Sequence, residues 1–172
     1  ALPRLQIRDV RAPQDVGQAI ARVAGAGAVG ASIEDYDEHA GIYPLEQAAE
    51  RVAAASAAAH RLDFGFVLTA RAENHIRGNP DLQDTIARLQ AYERAGADVL
   101  YAPGLRSGEE IRTVCDAVST PVNVLAHRGL SMSEIVEAGA QRVSVGGALT
   151  WVAVGALADA AERIRDDGDF SV

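Results

Sequence analysis

The strongest constraint on the fold is an alternation: short apolar, β-branched runs that end in polar residues take turns with stretches carrying apolar residues at helical spacing. Val16, Ala19, Ile20, Val23 and Ala24 form one helical stripe over residues 13–26, opened by Pro13 in the first turn and stopped by Gly25 and Gly27. Residues 28–35 then read as a strand closing on Glu34 and Asp35. The pattern recurs as a helix over 45–56 and a strand over 64–71, then a helix opened by Asn79-Pro80 and a strand over 98–103. Helices from Ser107 and Ser131, each with a Glu at capping-box spacing (Glu110, Glu134), precede strands over 121–126 and 142–147, and a last helix covers 149–165. Leu5–Ile7 supplies one more strand.

Strands separated by helices must pair in parallel through right-handed crossovers. A doubly wound sheet and a β/α barrel both satisfy this. No Gly-x-Gly-x-x-Gly and no P-loop follows a strand, which favours the barrel. The fold class expected is therefore α/β, a TIM-type β/α barrel with about six of the usual eight units. The 172 residues are expected to form a single domain, shortened on its N-terminal side. Such a barrel leaves strand edges open, so a homo-oligomer is expected, with elements exchanged between copies.

A net charge of -8 with no lysine argues against nucleic acid and membrane surfaces as partners. The one basic cluster, Arg4, Arg8 and Arg11, reads as solvated surface. Cys115 stands alone within a helical stripe, which excludes a disulfide framework, and no apolar run is long enough to span a bilayer. A cytoplasmic location is the expectation.

Ligands of parallel β/α proteins lie beyond the C-terminal strand ends, where this chain carries Glu34, Asp35, Arg71, Asn123 and Ser144. Alternation puts Ser32 with Glu34, Thr69 with Arg71 and Asn123 with Leu125 on common faces. Glu34 and Arg71 then share a pocket, either as an internal ion pair or as a site in which Glu34 holds Mg2+, directly or through water, while Arg71 clamps a carboxylate. His39, His60, His75 and His127 lack metal-ligand spacing, although His75 follows Arg71 closely enough to approach the pocket. Gly146-Gly147 could cradle a phosphate or serve close packing.

Taken in order, residues 25–35, 67–71, 95–104, 121–126 and 142–148 resemble the strand motifs of the isocitrate lyase and phosphoenolpyruvate mutase superfamily. The resemblance implies an enzyme acting on a small 2-oxo or 2-hydroxy acid, with Mg2+ stabilising an enolate as a C–C or P–C bond breaks or forms. It implies Glu34 as metal ligand and catalytic residue, Arg71 as catalytic and substrate-binding residue, and Asn123 as substrate-binding. It also exposes departures. Arg4 and Gln6 occupy the acidic-x-acidic positions, and Asp9 would reach them only by a register shift. The family's second strand, with its acidic ligand and Ser-Gly-Gly site, would precede Ala1. Residues 36–43 replace the Lys-Lys-Cys-Gly-His loop of the lyases, so isocitrate cleavage is not expected. A shortened, inactive enzyme and a non-catalytic scaffold that has lost the metal site are the alternatives this leaves.

Overall fold

Six parallel strands form one sheet in the order β1 (Leu5–Ile7), β2 (Gly30–Glu34), β5 (Val67–Arg71), β6 (Val99–Tyr101), β7 (Val122–Leu125) and β8 (Arg142–Ser144). The computed structural model describes residues 5–7 and 12–171. Arg4, Arg8, Asp9 and Arg11, and the side chain of Gln6, lie outside the described residues. The sheet neighbours are consecutive apart from a hairpin of β3 (Tyr36–Asp37) and β4 (Gly41–Ile42) inserted after β2. β1 and β8 do not pair, and the architecture is an incomplete β/α barrel.

Helices α1 (Pro13–Gly25), α2 (Leu45–Ala59), α3 (Leu82–Arg94), α4 (Gly108–Asp116) and α5 (Met132–Glu137) fill the crossovers, and α6 (Ala148–Asp167) follows β8. Both expected capping boxes are present: Ser107 accepts from Glu110 N and Ser131 from Glu134 N, while each Glu reaches back to the cap's backbone. α3 starts later than its Asn-Pro signal because Asp81 takes over as cap, accepting the N–H groups of Gln83 and Asp84.

The strands divide the molecule by residue parity. Ile33, Ala70, Leu100 and Val122 fall on one set of registered rows, all at most 1% exposed, and turn toward the helices. Val16, Ile20, Val52, Ala55, Leu89 and Ile111 complete that core from the helix side. Removing one of the Val, Leu or Ile side chains from water stabilises the fold by about 1.5–3 kcal/mol. Alanine sets how closely the layers approach. Gly17 in α1 lies against the Cβ of Ala58, and Ser56 Oγ donates to Gly96 O at 2.9 Å, with Gly96 at φ 91° to make the turn. The opposite row parity carries Ser32, Glu34, Thr69, Arg71, Tyr101, Asn123, Arg142 and Ser144. The helix-facing side is an apolar core; the barrel interior is polar.

One element departs from the amphipathic scheme. α6 has no buried residue, and Leu149, Trp151, Val152 and Leu157 are each about 70% exposed. Helical periodicity is satisfied along it, but no described element covers its apolar residues.

Candidate functional site

A single register row crosses the barrel interior: Glu34 pairs with Arg71, Arg71 with Tyr101, Tyr101 with Asn123, and Asn123 with Arg142. Parallel strands hold registered residues on the same face. All five side chains in this row are polar, an arrangement that serves no packing purpose. Most of them line a cavity of about 260 Å3, together with Ser32, Thr69 and Ser144.

Arg71 lies at the centre of the row. Its Nε donates to Glu73 Oε1 at 2.8 Å and Nη2 lies 2.6 Å from the same oxygen, while Nη1 is 3.1 Å from Glu34 Oε1. Its guanidinium carbon stands 4.9 Å from the centre of the Tyr101 ring. Two fully buried carboxylates and an aromatic face therefore fix a guanidinium that still borders the cavity, with 12% of its side chain exposed. A fork held in this way is preorganised for a carboxylate. Burial pushes the Glu73 carboxyl above the usual carboxylate range; attraction to Arg71 opposes this and repulsion from Glu34 adds to it. Burial also raises the Tyr101 phenol. Glu73 Oε2 lies 3.4 Å from Arg77 Nη2, and Arg77 in turn stacks over Tyr36 of the hairpin at 3.8 Å.

Across the cavity, Asn123 is oriented by two partners: Oδ1 accepts from Arg142 Nε at 2.8 Å, and Nδ2 donates to Ser144 Oγ at 3.1 Å. Arg142 Nη2 donates to Thr69 Oγ1 at 3.0 Å.

The expected residues thus separate. Arg71, Asn123 and Ser144 line the cavity, whereas Glu34 is buried beside Arg71 and is not part of the lining. Asp35, adjacent in sequence, turns the other way into the helix layer. It accepts from Tyr92 Oη at 2.5 Å, Glu73 N at 2.7 Å and Arg88 Nη1 at 3.0 Å. Burial raises its carboxyl despite those three donors. Asp35 ties β2 to α3 and to the segment after β5, and has no place in the pocket. His75 sits in the short 3-10 turn Asn74–Arg77 and does not line the cavity. Gly146 borders the cavity at φ 51°, and a Cβ there would meet Leu125 Cδ1 at 3.2 Å, so close packing accounts for it. Cys115 is half-buried with its thiol pushed up by burial, unsuited to act as a nucleophile.

Glu73, Tyr101 and Arg142 were not among the residues expected from sequence. The signal for Tyr101 and Arg142 was their place in the strands, combined with a register that only strand pairing supplies. Glu73 lies beyond its strand, where alternation no longer applies.

The model of the phosphoenolpyruvate phosphomutase family matches residues 10–165. The chain belongs to that family. A candidate lyase/mutase from Burkholderia cenocepacia J2315 superimposes with a TM-score of 0.92 at 47% identity, over 98% of this chain and 63% of that one. A phosphonopyruvate hydrolase solved with oxalate and Mg2+ gives 0.82 at 28% identity, over 98% and 62%. Among sequence relatives, an uncharacterized protein of Mycobacterium tuberculosis H37Rv is 32% identical over 84% of this chain and 54% of its own length. An oxaloacetate decarboxylase of Paraburkholderia xenovorans is 35% identical over 45% of this chain and 25% of its own length. This family member therefore spans just over half the length of the Mycobacterium relative.

Because the phosphonopyruvate hydrolase was solved with Mg2+, the fit of this chain's residues to that ion matters. Mg2+ commonly takes one or two protein carboxylates and completes its octahedron with water and substrate oxygens. Among the described residues no three His, Cys, Asp or Glu side chains gather as a metal cage. Glu34 supplies one carboxylate next to Arg71, which suits a ligand acting through water.

Proposed function

We propose that the protein acts on a small 2-oxo or 2-hydroxy acid as a lyase or mutase, through an enolate. The reading is carried by Arg71, a guanidinium locked by Glu34, Glu73 and the Tyr101 ring at the edge of a polar cavity that also holds Arg142 and Asn123. Family membership and relatives named for phosphonopyruvate and oxaloacetate support it.

In this reading Arg71 binds the substrate carboxylate through its fork and keeps that group in the plane of the oxo carbon. Asn123, its amide oriented by Arg142 and Ser144, offers its remaining N–H to a substrate oxygen. Glu34 is the residue that would hold Mg2+, and its carboxylate neutralises Arg71. When bound, Mg2+ would supply positive charge against the oxygen on which negative charge develops. Tyr101 and Leu125 add an aromatic face and an apolar wall to the cavity.

The competing reading, a scaffold that binds without metal chemistry, is favoured by Gln6. Its backbone stands in register with Ser32, at a position where the resemblance calls for an acidic residue. Calorimetry with oxalate, an enolate mimic, separates the two. Mg2+-dependent binding that is lost in Glu34→Gln and Arg71→Ala supports the enolate reading; binding indifferent to Mg2+, or none at millimolar oxalate, supports the scaffold.

The expected homo-oligomer belongs to the same reading. The uncovered apolar residues of α6 suit a second copy of this chain.

A further inference from the structure

Beyond the C-terminal ends of β6 and β7 lies a second cleft of about 380 Å3, lined by Gly104, Leu105, Arg106, Leu125 and His127. Leu125 also lines the central cavity, so the two spaces share a wall at the mouth of the barrel. The loop presenting Arg106 is held from both ends. Glu110 Oε2 accepts the backbone N–H groups of Arg106 at 2.7 Å and Ser107 at 3.2 Å, which anchors the loop to the capping box of α4. Gly104 adopts φ 101° and seats against the 3-10 turn so closely that a Cβ would come within 2.5 Å of Ile76 Cγ2.

The head groups in this cleft are cationic or donating. Arg106 is exposed and takes part in none of the ion pairs among the described residues. His127 Nδ1 accepts the N–H of Gly129 at 3.1 Å, so its neutral ring carries the proton on Nε2 and acts as a donor there. Leu105 and Leu125 provide an apolar span between this pair and the interior. A fixed loop carrying an unpaired guanidinium, an imidazole N–H and an apolar connection back to Arg71 describes a subsite for the far end of an extended anion.

We propose that Arg106 and His127 form a distal anion subsite that selects 2-oxo acids bearing a second carboxylate. This rests on the enolate-site reading, in which Arg71 takes the carboxylate beside the oxo group. The chain between the two carboxylates runs past Leu125, and a 2-oxo acid ending in a methyl group leaves the Arg106 fork unmatched.

The test compares Mg2+-dependent binding of 2-oxoglutarate, 2-oxopentanoate and oxalate to the full-length protein by calorimetry, for the wild type and Arg106→Ala. The first two ligands share a chain length and differ in the terminal carboxylate. We expect the wild type to prefer 2-oxoglutarate by about tenfold, Arg106→Ala to erase that preference, and oxalate, too short to reach Arg106, to bind both proteins alike. Equal binding of the two long acids by the wild type overturns the subsite, as does a preference that survives Arg106→Ala. Either result alongside normal oxalate binding leaves the enolate site standing. Failure of oxalate to bind removes the enolate reading and the subsite together.

Discussion

Glu73→Gln separates the stability of the Arg71 cluster from its function. Glu73 is fully buried, and its Oε1 receives both Nε and Nη2 of Arg71. In the variant the amide oxygen still accepts from the charged guanidinium but the ion pair is gone, so the hold on Arg71 weakens by roughly 2 kcal/mol. Set against this, the carboxylate no longer has to be buried, a cost visible in the upward shift of its pKa. The upward shift is the net of these opposing effects, so the neutral amide is expected to cost no stability at pH 7. Oxalate binding has no such offset, because Glu34 at 3.1 Å alone does not fix the guanidinium plane. A loss of about tenfold or more is expected there.

The pH dependence carries the sign. With its folded pKa raised above the ordinary 4.5, Glu73 binds its proton more tightly in the folded protein. Its contribution is fully present below 4.5 and is lost as pH rises through the raised value. Urea denaturation should therefore show the wild type gaining on Glu73→Gln as pH falls through that window. Asp35 shifts in the same direction but is common to both proteins and cancels in the difference. Oxalate affinity in Glu73→Gln equal to that of the wild type would refute the assignment of Glu73 as the residue positioning Arg71.

Two further predictions address the helix layer and assembly. Tyr92→Phe removes the 2.5 Å bond to Asp35 and leaves a buried carboxylate with fewer donors, so denaturation should report a loss of about 1–3 kcal/mol while oxalate binding stays unchanged, because Asp35 faces away from the cavity. Trp151→Glu places a charge among the exposed apolar residues of α6; sedimentation should show the assembly shifting to smaller species, and an unchanged mass would exclude α6 from the contact between copies.

Much of the site was legible along the chain because strand alternation is a local rule. Thr69 with Arg71, and Asn123 with Leu125, follow from period-two geometry and do share the cavity. Glu34 and Asp35 illustrate the limit. Both are carboxylates at one strand end, yet one meets Arg71 in the interior and the other meets Tyr92 and Arg88 among the helices. Arg142 shows the same limit in another way. It begins its strand, where a pocket residue is not sought, but parallel register brings it level with Asn123 on β7.

The order of strands and helices, the cap positions and the parity that separates apolar from polar faces were determined by sequence alone, since each depends on residues within a few positions of one another. Tertiary structure decided the rest. Strand pairing aligned Glu34, Arg71, Tyr101, Asn123 and Arg142 in one row, although they are spread over most of the chain. Chain folding brought Glu73 back beneath Arg71 and left α6 with nothing described against its apolar residues. Contacts of that kind depend on which distant segments meet, and local patterning carries no record of it.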